Sequence, residues 1–274
     1  MVSSLSIVAM LVSTIVVFGL PMILAIIFIR RYGASLVAVG VGVLGFLVPQ
    51  VLIRIPALQW LSQQPFYQQW AAQPWLIGLF LSLTAGLFEE TGRWIGFRYL
   101  LRNRLQFKNG LAYGVGHGGF EAIFLVGLSY INLITFSLMI NNGTFDSLVA
   151  PQLGLAAEQI RTQLISTPSY LYLVGGLERV FAIAIQLGLS VLVFYSVKRQ
   201  KARLYWLAVL LHTVVNLPAV LLSSTGIGIL WIELWVAVCA GVAVWYVIHS
   251  HRREQQAFML TSSAEIGQNS VNAK

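Results

Sequence analysis

Three pairs of polar residues in this sequence have the types and the spacing that hydrolysis of a peptide bond requires. The pairs are Glu89 with Arg93, His117 with Glu121, and His212 with Asn216. Residues four apart lie on one side of a helix, so the two members of each pair would project together. Hydrolysis needs a base that activates water and donors that stabilise the oxyanion. Desolvated Glu, helped by His, suits the first task, and His with Asn suits the second.

A second carboxylate, Glu90, directly follows Glu89. Neighbouring residues on a helix are turned about 100° from each other, so both carboxylates cannot point at one spot. We expect one of them to face the site and the other to hold Arg93 or a neighbouring helix. A neutralising Glu90–Arg93 pair is the simpler alternative for that second carboxylate.

Other chemistries of peptide-bond hydrolysis have less support among the residues of this sequence. Asp146 is the only Asp, so a two-aspartate mechanism is excluded, and neither His-Glu-x-x-His nor Gly-x-Ser-x-Gly occurs. Cys239 is the only cysteine and lies in an apolar run, where a packing role is expected. If a divalent metal such as zinc is used, Glu89, His117 and His212 are the expected ligands, although the spacing does not require a metal.

The composition places these residues in membrane-spanning helices. Of the 274 residues, 58% are hydrophobic and only 9% are charged, with a mean hydropathy of +0.80. Soluble domains carry about a quarter charged residues. We predict an all-α, polytopic membrane protein with about seven spans, each long enough to cross about 30 Å of hydrocarbon. The predicted spans cover residues 5–29, 34–53, 75–101, 110–140, 169–197, 204–223 and 226–248.

The basic residues predict the orientation of these spans. One side of the membrane receives 12 Lys or Arg residues and the other only two, Arg54 and Arg161. The positive-inside rule therefore puts the N-terminus outside and the C-terminus in the cytoplasm. Because the positive charges lie in short clusters between apolar runs, they indicate topology rather than a nucleic-acid partner. We expect a multi-pass protein of a prokaryotic plasma membrane, with one transmembrane domain at 1–253 and a disordered cytoplasmic tail at 254–274.

Three of the predicted spans bring ionisable residues to a common depth. Glu89, His117 and His212 lie roughly 12–20 Å below the cytoplasmic surface when counted from the ends of their helices at 1.5 Å per residue. A charged residue at the centre of a span costs on the order of 2.5–3.5 kcal/mol, so several at one level indicate a function.

At these residues the sequence resembles a known family. Glu89-Glu90-Thr91-Gly92-Arg93, Tyr113-x-x-x-His117 and His212-x-x-x-Asn216 look like the three motifs of the CAAX-protease and bacteriocin-processing (CPBP) intramembrane proteases. The stretch Gly116-His117-Gly118-Gly119-Phe120-Glu121, with Glu178-Arg179, is similar to the YhfC branch. The matched positions run from 89 to 216, a little under half of the chain.

The resemblance implies an all-helical intramembrane endopeptidase that acts on membrane-associated peptides or proteins. It assigns water activation to Glu89 with His117, and oxyanion stabilisation to His212 and Asn216. The broad family has three residues between its Glu pair and its Arg, whereas only two intervene here. This departure leaves open which of Glu89 and Glu90 is the base. The family has been described both as metal-dependent and as glutamate-dependent.

One alternative from another functional class is a proton- or cation-coupled transporter that uses the carboxylates of Glu121, Glu178 and Glu233. The lack of a detectable internal repeat and the glycine-flanked His117 argue against it. A seven-span receptor or assembly factor, with structural buried charges, is the third option. The sequence does not indicate an oligomeric state.

Overall fold

The computed structural model describes residues 1–222 and 228–272, and every regular element in this part of the chain is helical. This confirms the predicted all-α class. The α-helices are α1 Ser4–Arg30, α2 Leu36–Phe46, α3 Ile55–Ser62, α4 Pro65–Ala71, α5 Pro74–Ile95, α6 Phe107–Ala122, α7 Leu128–Asn142, α8 Phe145–Leu148, α9 Ala150–Leu153, α10 Leu155–Ser166, α11 Ser169–Lys198, α12 Ala202–Leu222 and α13 Ile229–Asn272.

Short π-helical segments join several of these helices into longer spans. Leu47–Arg54 connects α2 to α3, Gly96–Leu100 extends α5, and Ile123–Gly127 connects α6 to α7. Six helices of the described chain are long and apolar enough to cross a membrane, and a seventh span results if α4 and α5 are counted together. These two helices meet at 109°. The predicted number of about seven spans is confirmed.

The two long connections that follow Arg54 and α7 contain short helices. Residues 55–71 form α3 and α4, because the chain stays helical through the π-segment that ends at Arg54. Arg54 itself was expected in this connection, but its side chain is buried. Its Nε donates to Thr84 Oγ1 at 3.1 Å and its Nη2 to the Leu81 carbonyl at 2.6 Å. The second connection contains α8, α9 and α10.

Helix α6 lies at the centre of the molecule because its glycines remove the side chains that would keep its neighbours away. A Cβ on Gly116 would lie 2.0 Å from the Val39 carbonyl oxygen of α2. A Cβ on Gly114 would lie 3.0 Å from the Leu187 Cα of α11. The glycine run therefore lets α2 and α11 approach α6 closely, and His117 lies in the interior between them.

At the C-terminal end, α13 continues through Asn272, whereas a disordered tail was predicted from 254. The disorder of that tail and the single-domain organisation remain predictions, as does the orientation in the membrane. The last predicted span begins at 226, and that beginning lies outside the described residues.

Candidate active site and metal centre

The candidate site is a buried cluster at which three helices meet. Glu89 comes from α5, His117 from α6 and His212 from α12, and their exposed fractions are 4%, 0% and 3%. Glu89 Oε2 lies 3.1 Å from His117 Nε2 and 3.8 Å from His212 Nε2. One carboxylate oxygen thus faces two imidazole nitrogens from two other helices.

The second carboxylate of α5, Glu90, points to different partners. Its Oε1 lies 2.7 Å from His212 Nδ1 and also accepts a hydrogen bond from Arg93 Nη1. Glu90 and Arg93 are both fully buried. Glu90 therefore holds α5 to α12, while Glu89 remains directed at His117.

The Glu90 contact also determines the tautomer of His212. A carboxylate only accepts hydrogen bonds, so the proton of a neutral His212 ring must be on Nδ1. Nε2 then carries a lone pair and faces Glu89. In this neutral state the ring can ligate a metal through Nε2. It can donate to an oxyanion only in the doubly protonated state, in which Nε2 also carries a proton.

Helix α11 supplies two further residues to the cluster. Arg93 Nε donates to Ser190 Oγ at 3.2 Å, and its Nη2 donates to Gln186 Oε1. Gln186 Nε2 donates in turn to Glu121 Oε2 and, at 3.5 Å, to Glu89 Oε2. Gln186 and Ser190 were not among the site residues predicted from the sequence. Gln186 could have been found from its position, because a side-chain amide in the middle of a predicted span is rare and indicates a buried polar partner.

Glu121 and Asn216 lie at the edge of the cluster. They line a small polar cavity of about 70 Å³ together with His212, Gln186, Glu178 and Arg179. A cavity of this size has room for ordered water, which needs roughly 10–15 Å³ and several polar partners.

Arg179 joins Glu178 to the site. Its Nη1 lies 3.6 Å from Glu121 Oε1, and its Nη2 donates to Glu178 Oε1. Glu178 and Arg179 therefore form an ion pair, and the contact of Arg179 with Glu121 connects this pair to the cluster. Glu233, on α13, is partly buried and forms no hydrogen bond or ion pair with this cluster in the described part of the chain.

The donor set fits a divalent metal. Donor atoms of Glu89, His117 and Glu121 all lie within 4.8 Å of one another. Ligand atoms of a tetrahedral zinc site are about 3.4 Å apart, because each lies about 2.1 Å from the ion. The 3.1 Å and 3.8 Å separations around Glu89 are close to this value. Glu121 was absent from the predicted ligand set, and it lies in this group whereas His212 does not.

The charge of the cluster supports the same conclusion. The connected network holds four carboxylates and two guanidinium groups, so its formal charge is −2 with neutral histidines. The charged members are Glu89, Glu90, Glu121, Glu178, Arg93 and Arg179. The buried guanidinium of Arg54, outside this network, interacts with Glu89 and offsets part of the charge. Excess charge at this depth is costly, and a divalent cation would offset the remainder.

Comparisons with known proteins agree with the family suggested by the motifs. The family model described as YhfC intramembrane metalloprotease matches residues 16–237. A Bacillus subtilis (strain 168) protein described as "Uncharacterized membrane protein YhfC" is 38% identical over 258 residues, which cover 92% of this chain and 99% of that protein. No solved structure matches the chain.

Proposed function

The chain belongs to the YhfC intramembrane metalloprotease family, and from this we propose that it is an endopeptidase that hydrolyses membrane-associated peptides or proteins with Glu89 as general base. The observation that carries the proposal is the position of Glu89 Oε2 between His117 Nε2 and His212 Nε2, at 3.1 Å and 3.8 Å. A buried carboxylate that faces two imidazoles inside a membrane is suited to activating water.

In the proposed reaction Glu89 Oε2 accepts a proton from the attacking water and later returns it to the leaving amine. His117 orients this oxygen through its Nε2 contact. Glu90 has a structural task, because its Oε1 is already used by Arg93 and His212. Asn216, beside His212 in the polar cavity, supplies an amide donor for the oxyanion.

His117, His212 and Glu121 are the residues that would hold a divalent ion next to Glu89. His117 Nε2 donates to Glu89 in the structure, because a carboxylate only accepts, and it would exchange this hydrogen bond for the ion. Two histidines and one carboxylate form a ligand set that metallopeptidases use. When bound, the ion supplies Lewis acidity at the scissile carbonyl and favours ionisation of the attacking water. Glu121 replaces Glu89 in the ligand set expected from the sequence, so that the Glu89 carboxylate stays free to accept a proton.

The proposed setting is a bacterial plasma membrane, with the N-terminus outside and the C-terminus in the cytoplasm. The positive-inside asymmetry and the bacterial relative support this setting. Counted from the helix ends that carry the basic clusters, the site is reached more easily from the cytoplasmic leaflet, so substrates would enter from that side.

Comparing the protein termini in membranes of cells that express either the wild type or Glu89→Gln tests this function. We expect mass spectrometry to find new N-termini inside or next to membrane segments only with the wild type. Glu158→Gln, on the exposed surface of α10, is the matched control and should yield the wild-type set. Identical sets of termini for the wild type and Glu89→Gln would refute the proposal.

A further inference from the structure

Gln186 is a buried amide that contacts both candidate acids of the site. It lies on α11 with an exposed fraction of 5%. Its Oε1 accepts a hydrogen bond from Arg93 Nη2. Its Nε2 donates to Glu121 Oε2 and lies 3.5 Å from Glu89 Oε2. One side chain therefore connects the Arg93–Glu90 pair to the two carboxylates that face His117.

The orientation of this amide follows from the chemistry of its partners. Arginine has only donors, so the oxygen of Gln186 must face Arg93. Ionised carboxylates only accept, so the NH2 group must face Glu89 and Glu121. The reverse orientation would place two donors together and an oxygen against two carboxylates.

The packing of α6 against α11 keeps the side chain in this place. A Cβ on Gly118 would lie 2.8 Å from the Gln186 Cβ, so the glycine provides the space that the amide occupies. Arg93 is itself held by Glu90 and by Ser190 Oγ. The Gln186 side chain is thus held at its Cβ by the packing against Gly118 and at its Oε1 by Arg93, which directs its Nε2 at the carboxylates.

From this geometry we propose that Gln186 is a positioning residue that holds the proposed metal ligand Glu121 at its separation from the proposed base Glu89, and that this arrangement favours binding of a divalent ion. Two carboxylates within 4.8 Å repel each other, and hydrogen bonds from one amide to both of them reduce this repulsion and limit their movement. The inference rests on the metal-dependent form of the proposed function. In this role Gln186 positions the side chains of the metal site and does not contact the substrate.

Zinc affinity, measured on the purified full-length protein by competition with a chromophoric chelator, tests the inference. Gln186→Met keeps the length of the side chain but removes both the donor and the acceptor. Because groups that hydrogen-bond to metal ligands are worth about 10–100-fold in affinity, we expect Zn²⁺ binding to weaken by that factor. Ser190→Ala is the matched control: it removes another Arg93 acceptor from the same helix and leaves the carboxylates untouched.

If Gln186 only supports Arg93, both variants will lower the thermal stability and neither will change the affinity for Zn²⁺ by more than about threefold, which would overturn the inference. Gln186→Asn is the second variant, in case the Met substitution prevents folding. Its amide is one methylene shorter and cannot reach Arg93 and both carboxylates together, so we expect the affinity to fall by at least about threefold.

The outcomes separate this inference from the proposed function. A wild type that fails to bind Zn²⁺ would overturn the positioning inference. Zinc binding that depends on Gln186, in a protein that cleaves no membrane protein, would leave the inference standing and reject the protease. In an active protease, kcat should fall in Gln186→Met with little change in KM, because Gln186 does not contact the substrate.

Discussion

Glu90 Oε1 lies 2.7 Å from His212 Nδ1, and the same oxygen accepts from Arg93. This buried contact ties α5 to α12 and directs His212 Nε2 at Glu89, 3.8 Å away. The adjacent acids therefore have different tasks: Glu90 supports the site, and Glu89 faces it.

Replacing Glu90 should mainly affect stability. Glu90→Ala leaves the Arg93 guanidinium buried without its carboxylate, and breaking a buried pair in this way costs about 3–5 kcal/mol. We expect the free energy of unfolding to fall by that amount in a denaturation experiment in detergent. Glu158→Ala removes an exposed partner of Arg161 and should change it by no more than about 0.5 kcal/mol. Equal effects in the two variants would contradict the structural role of Glu90.

Replacing Glu89 should mainly affect catalysis. Glu89→Gln keeps the size of the side chain but cannot take a proton from water, so we expect kcat to fall by about 10²–10⁴-fold on an identified substrate. The melting temperature should stay within a few degrees of the wild type, because Glu89 lacks the direct contact with Arg93 that Glu90 has. Normal turnover by Glu89→Gln together with an inactive Glu90→Gln would assign the base to Glu90 instead.

The tautomer of His212 predicts the effect of removing its ring. His212→Gln retains an amide that can donate to an oxyanion but has no imidazole Nε2. If Nε2 is a metal ligand, we expect the affinity for Zn²⁺ to fall by at least about 100-fold. This loss exceeds the roughly 10–100-fold that is typical when a residue hydrogen-bonded to a ligand is replaced. Equilibrium dialysis with elemental analysis measures this affinity. Unchanged affinity with a reduced kcat would assign His212 to the oxyanion.

Two glycines of α2 provide a matched test of helix packing. A Cβ on Gly42 would lie 2.1 Å from the Tyr113 carbonyl oxygen, whereas a Cβ on Gly40 would meet no atom within 4 Å in the described structure. We expect Gly42→Ala to destabilise the protein by about 1–3 kcal/mol, since α6 must move away, and Gly40→Ala to leave stability unchanged or slightly higher. Thermal unfolding of both variants in one detergent makes the comparison. Destabilisation by Gly40→Ala of the same size would show that the cost is unrelated to the α2–α6 contact.

The orientation can be tested with single cysteines in a Cys239→Ala background. Asn103→Cys lies in the exposed connection between α5 and α6, and Ser147→Cys lies in the exposed connection after α7. A membrane-impermeant maleimide added to intact cells should label position 147 and spare position 103, which should react only after the membrane is opened. The opposite pattern would reverse the topology.

Much of the fold follows from the sequence because its signals are local. Hydrophobicity summed over about 20 residues identifies a span, and the rise per residue then places Glu89, His117 and His212 at one depth. The glycines around His117 are likewise visible in the sequence, and their missing side chains allow neighbouring helices to approach closely. The helices α3 and α4 at 55–71 do not follow from the sequence in this way, because the composition of a polar, aromatic segment does not show whether it remains helical.

Other features depend on how helices are rotated and packed against one another. The sequence alone showed that Glu89 and Glu90 point about 100° apart, but only the contacts with α6 and α12 decided which carboxylate meets which histidine. Gln186 and Ser190 entered the site because α11 packs beside α6, and no short-range pattern connects residue 186 to residues 89 and 121. Spans and depth are thus determined by the chain itself, whereas the pairing of acids, histidines and amide is a property of the tertiary structure, since it requires side chains from four helices to meet.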